Sequence, residues 1–197
     1  YNVAFEDAVF RTAQIAYDLG FDGAPILYSW PSDTGETPIG YTAAQNNNDW
    51  TVAHLDFFLR DVAAKTGATR IHVIAHSMGN RALVNALNRM PTAQTKPFNQ
   101  IVLTAPDMDA QTFIQLADAL KRTAARTTLY ASASDKALLI SKQLNAYPRA
   151  GDTGAGVVIV DGIDTIDVTA IDSNLVGHYY YGDNRSVISD IFLLFTE

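Results

Sequence analysis

Apolar and polar positions fall into two alternating periods along the chain. Residues 2–19 carry Phe5, Ala8, Val9, Ile15, Ala16 and Leu19 at helical spacing, with Gly20 following as a C-cap. Ala24-Pro25-Ile26-Leu27-Tyr28-Ser29 is a short apolar run after a turn and predicts a strand. Residues 31–48 are rich in Pro, Gly, Thr and Asn and predict a long loop. Asp49 is placed to cap a helix over residues 49–65, whose apolar positions include Trp50, Leu55, Phe58 and Val62. A strand is expected over residues 70–75, and a helix through 82–87 that stops before Pro91. Strands at 100–105, 127–131 and 156–160 then alternate with helices at 110–126, 137–144 and 184–195. This alternation predicts an α/β fold, with a mainly parallel sheet and helices on both faces. Neither an internal repeat nor an interdomain linker interrupts it, so residues 1–197 read as one domain.

Composition narrows the function. Hydrophobic residues make up 48% and charged residues 18%, which suits a packed core and argues against disorder. No apolar run approaches bilayer length, so no transmembrane segment is expected. A net charge of -7 without a basic stripe disfavours nucleic acid as a partner. The absence of cysteine excludes disulfides, a thiolate nucleophile and Cys-ligated zinc. The chain opens on Tyr1 rather than Met, so further residues are expected upstream.

The most specific signal is Ile71-His72-Val73-Ile74-Ala75-His76-Ser77-Met78-Gly79-Asn80-Arg81-Ala82-Leu83. An apolar strand runs into a serine and directly on into a helix, the setting of a nucleophile elbow. Such a serine sits on a tight, strained turn, so small residues are expected two positions either side. Gly79 meets that need, and Ala75 stands where the motif usually has its first glycine. The following helix aims its N-terminal amides at the place where negative charge develops, and the backbone N–H of Met78 is the expected oxyanion donor.

A serine nucleophile needs an imidazole base, and the base needs a carboxylate to fix its tautomer. Of His54, His72, His76 and His178, only His178 lies downstream of every candidate acid, as the serine–acid–histidine order requires. The other three read as structural. The acid is expected just after a strand. Asp135 is favoured, with Asp107 and Asp109 one strand earlier as alternatives. Each of the three also suits a helix N-cap.

The chain resembles a mainly bacterial family of α/β-hydrolases catalogued as a domain of unknown function. The resemblance is carried by Tyr1-Asn2-Val3-Ala4-Phe5-Glu6-Asp7-Ala8 with Arg11-Thr12-Ala13-Gln14, by Ser29-Trp30-Pro31-Ser32, and by residues 71–80. It continues more weakly at Tyr130-Ala131-Ser132, Asp135-Lys136-Ala137-Leu138 and His178-Tyr179-Tyr180. It implies a Ser77, Asp135, His178 triad in a serine esterase or lipase-like hydrolase. In that family a strand ending in His-Gly normally precedes the Tyr-Asn seen here at Tyr1-Asn2. The loop after it supplies the second oxyanion amide. That strand would lie beside the nucleophile strand, so the resemblance also implies an N-terminal segment or bound fragment that completes the sheet.

The expected activity is hydrolysis of a small-molecule carboxylic ester through an acyl-enzyme, with no cofactor and no metal. An acyltransferase or thioesterase would use the same triad, and a non-catalytic binding module is the competing class. Trp30, Tyr41 and Tyr179 are candidate pocket residues, with Tyr180 and Tyr181 alongside. Asp161, Asp164, Asp167 and Asp172 form an acidic stretch without calcium-loop spacing. Residues 151–156 lack the context of a nucleotide site and read as a flexible turn.

Overall fold

The computed structural model describes residues 1–92, 96–171 and 184–197. Four strands, β1 (His72–His76), β2 (Phe98–Thr104), β3 (Ala124–Ala131) and β4 (Asp164–Asp167), form one parallel sheet in the order β1-β2-β3-β4. The helices are α1 (Phe5–Asp18), α2 (Pro38–Lys65), α3 (Gly79–Arg89), α4 (Ala110–Thr123), α5 (Lys136–Asn145) and α6 (Arg185–Thr196). The expected α/β architecture is therefore present.

Side-chain alternation along the strands divides the core between two helical layers. Ala75, Ile101, Leu103, Leu129 and Ala131 face α2, α3 and α4, where Leu55, Leu83, Leu87, Phe113 and Leu120 close the larger cluster. Ile74, Val102, Tyr130 and Ile166 face the other layer, where Ile15 of α1, Leu138 of α5 and Val187, Ile191 and Leu194 of α6 pack. Polar residues set the helix starts. Thr37 Oγ1 accepts from Gly40 N–H, with Pro38 at the first position of α2. Asp109, Asp135 and Asn184 cap α4, α5 and α6 in the same way.

Four expectations need correction. Residues 38–48 belong to α2, a helix of 28 residues, and its cap is Thr37 rather than Asp49. The Asn-rich stretch is held helical by tertiary bonds: Asn47 Nδ2 donates to Pro31 O and Asn48 Nδ2 to Met78 O. The strand after β3 is Asp164–Asp167, not residues 156–160. Val158 and Val160 instead pack against the core as irregular chain, and Thr165 Oγ1 donates to Val158 O. Residues 151–156 are not a loose turn at their start. Gly151 N–H donates to Pro106 O and Gly151 O accepts from Ser132 N–H, at 3.0 and 2.9 Å. A Cβ there would lie 2.7 Å from Pro106 N, so only glycine fits. Finally, residues 24–29 carry no strand pairing among the described residues.

That last difference has a physical cause. Phe21 meets His72 at the start of β1, and Trp30 packs near Met78 just past its end. The segment between them therefore runs alongside β1 in the same direction. The two do not pair, because a groove of about 1310 Å³ separates them. Its walls are Ala24–Tyr28, Arg70–His76, the inner residues of α1 and, from α2, Leu55 and Phe58. Correspondingly α1 buries none of its residues.

Candidate active site

The C-terminal ends of β1, β2 and β3 deliver Ser77, Asp107 and Asp135, the end of a parallel sheet where ligands gather. Ser77 continues the ladder by donating its N–H to Thr104 O at 3.0 Å. It then turns left-handed, with φ 53, before Met78 and Gly79 open α3. A non-glycine residue in that region carries strain that the surroundings must hold. Here they do so through the carbonyls. Ser77 O accepts from Asn80 N–H at 3.1 Å, Asn80 Nδ2 at 3.0 Å and Asp107 N–H at 3.1 Å. Met78 O accepts from Asn48 Nδ2 at 3.0 Å. Met78 is 1% exposed, yet among the described residues its own N–H has no acceptor.

The expected crowding at Gly79 is absent among the described residues. A Cβ there would meet nothing within 4 Å, and Gly79 lines the groove. The space a larger residue would need lies open on that side.

The three candidate acids have different surroundings. Asp109 caps α4, accepting from Thr112 N–H at 2.7 Å and Thr112 Oγ1 at 2.8 Å. Asp107 is buried in a polar network. Oδ1 accepts from Ser141 Oγ at 2.5 Å and pairs with Arg149 Nε at 2.9 Å, and Oδ2 accepts from Tyr41 Oη at 2.9 Å. Arg149 is equally buried, so the pair stands on these bonds. Asp135 is 1% exposed and caps α5, with Oδ1 accepting from Leu138 N–H at 3.0 Å.

Tyr41, Ala44 and Met78 form a small cluster joined by Tyr1 and Trp30, so both aromatic pocket candidates from the described residues lie over the elbow. The Tyr1 and Tyr41 rings meet edge to face at 5.3 Å. Tyr41 is itself buried, however, and its hydroxyl is bound by Asp107, Ser141 and Asn145. Burial beside the Asp107 charge pushes that phenol up to about 12. It therefore acts as a packed support rather than an open wall. Sequence reasoning missed this network and the paired Asn48 and Asn80, because each depends on contacts between distant elements.

His54 stacks on Trp50 with centroids 4.4 Å apart, and His72 lies against Phe195 at 4.3 Å. His178, Tyr179, Tyr180, Tyr181 and Asp172 lie outside the described residues. Among the described residues no group of His, Asp and Glu could hold a metal ion, and no helix is long and apolar enough to cross a membrane. Asp164 pairs with Arg126, and Asp167 accepts from Thr169 N–H.

A family model described as an alpha/beta hydrolase of unknown function (DUF900) matches residues 1–195. The chain belongs to this family. No curated protein and no solved structure matches it. In this α/β hydrolase the strained Ser77 follows β1 and the buried Asp135 follows β3, with β2 between them in the parallel sheet.

Proposed function

We propose that this α/β hydrolase cleaves carboxylic esters through an acyl-enzyme on Ser77. The observation that carries the reading is the elbow itself. A buried serine at φ 53 ends a sheet strand, next to a Met78 N–H with no acceptor among the described residues. In the proposed reaction His178 takes the Ser77 proton and Asp135 orients His178. Ser77 Oγ adds to the ester carbonyl, and Met78 N–H binds the oxyanion. Collapse expels the alcohol with the proton from His178, and water releases the acid by the same steps. Asp135 is preferred to Asp107 because Asp107 is already committed to a buried ion pair with Arg149.

We propose further that an extended apolar segment of the same polypeptide seats in the groove between β1 and residues 24–30. It would complete the sheet and bring a second oxyanion amide beside Gly79. The open edge of β1, the unpaired run at residues 24–29 and the absence of any buried residue in α1 support that reading.

Mass spectrometry after exposure to a fluorophosphonate probe tests the chemistry. One adduct is expected on the wild type and none on Ser77→Ala, which should also lose hydrolysis of p-nitrophenyl acetate by at least about a thousandfold. A folded, full-length protein that takes no adduct and cleaves no ester would leave the fold as a binding module.

A further inference from the structure

Asn80 is fully buried, and the proposed proton transfers do not use it. Its Nδ2 donates to Ser77 O and to Thr104 O, each at 3.0 Å. Both partners are carbonyl oxygens, so the amide is orientated by its bonds: a flipped group would set oxygen against oxygen. Oδ1 then points to a buried place where no donor meets it among the described residues. An unmet buried acceptor is costly, so its retention asks for a compensating role.

The carbonyl that Asn80 grips belongs to the peptide whose N–H is that of Met78. A peptide is planar, so fixing its oxygen fixes the direction of its N–H on the opposite side. Three donors converge on this one oxygen, two of them from Asn80. Hydrogen bonds in series polarise one another, by roughly 10–30% per bond, so donation into Ser77 O strengthens Met78 N–H as a donor. The second bond, to Thr104 O, ties the same peptide to the end of β2.

We infer that Asn80 is a positioning residue for oxyanion binding, its side-chain amide setting the plane and the polarity of the Ser77–Met78 peptide. The inference rests on the acyl-enzyme reading given above. It names a residue that touches no reacting atom, and it predicts an effect on turnover rather than on substrate binding. The same bonds make the left-handed turn of Ser77 tolerable, so stability and polarisation have to be separated in the test.

The test uses the full-length protein with p-nitrophenyl acetate as substrate and butylboronic acid as the tetrahedral mimic. Asn80→Ala should lower kcat about tenfold, one step short of deleting an oxyanion donor. KM should change less than twofold, and the boronic acid should bind weaker by the same factor as kcat falls. Asn80→Ser keeps one hydroxyl donor and should fall between the two. The chain has three methionines, so ¹⁵N-methionine labelling gives three amide signals, for Met78, Met90 and Met108. In Asn80→Ser the Met78 proton should move upfield while the other two stay, whereas an unfolded variant would collapse all three. An unchanged kcat and an unmoved Met78 signal in a folded variant would overturn the inference. A rise in KM alone would do the same. A wild type that neither labels with fluorophosphonate nor turns over would remove the acyl-enzyme reading, and this inference with it.

Discussion

His72 shows how one side chain ties the protein's stability to pH. It lies at the first position of β1 with Phe195 of α6 at 4.3 Å and Phe21 at 6.5 Å. Burial there, with repulsion from Arg70 second, holds its imidazole below the ordinary value of 6.5. The fold favours the neutral ring, and the unfolded chain takes up the proton more readily. The contribution is therefore whole above about pH 6.5 and is lost as pH falls through the lower folded value. Thermal melts of the wild type should lose midpoint temperature between pH 7 and pH 5, and His72→Phe should flatten that slope. An equally steep slope in His72→Phe would show that other groups govern it. Gly151 gives a purely steric counterpart. Its added Cβ would lie 2.8 Å from Ala105 C and from Leu138 Cδ1, so Gly151→Ala should cost about 1–3 kcal/mol in urea unfolding. At this scale the sequence was legible where chemistry is local. The left-handed turn at Ser77 was legible in the apolar strand before it and the helix after it. The network of Tyr41, Asp107, Ser141 and Arg149 did not, because its members are up to 108 positions apart along the chain, from Tyr41 to Arg149.

Elements were legible to the degree that their own residues decide them. Although Ala124–Arg126, expected at the end of the preceding helix, begin β3 instead, β1, β2 and the second half of β3 read directly as parallel strands from their apolar residues. β4 did not, since Asp164-Thr165-Ile166-Asp167 has one core-facing aliphatic and depends on pairing with β3. The start of α2 was hidden for the opposite reason: its Asn run is a poor helix former held by bonds to Pro31 and Met78. Residues 24–29 read as a strand from their short apolar run, and in the structure that run lines the groove beside β1 instead. The edge is specific enough to test by amide exchange. Ile71 O and Ser77 N–H both point to β2, so two-residue alternation turns the backbone groups of His72 and Ile74 outward. Joining an apolar six-residue strand to Tyr1 should slow exchange at the His72 and Ile74 amides by at least about tenfold. Protection at Val73, which already faces β2, should change less. No selective slowing would mean the groove does not take a strand.

The whole molecule combines a net charge of -7 with a long apolar groove beside the edge of β1, which is unpaired among the described residues. Like charge keeps copies apart at low salt, and an unpaired edge draws them together once the charge is screened. Sedimentation should therefore show more self-association at 0.5 M than at 0.05 M sodium chloride. The strand-extended protein should remain monomeric at both. If salt has no effect on either, the edge is not the contact. Fold class followed from the alternation of elements alone, since a strand–helix series has few ways to close. Strand order did not follow from that pattern, because periodicity describes each segment without naming its neighbours.

The empty side of Gly79 gives the groove one more meaning. The same slot borders Gly79 of the elbow on one side and the interior of the sheet on the other. On the acyl-enzyme reading proposed above, a segment seated there would close the hydrophobic interior and complete the oxyanion site in a single event. On that reading, adding one short strand would switch the activity on. A strand peptide added to the protein would then be read directly as released nitrophenol.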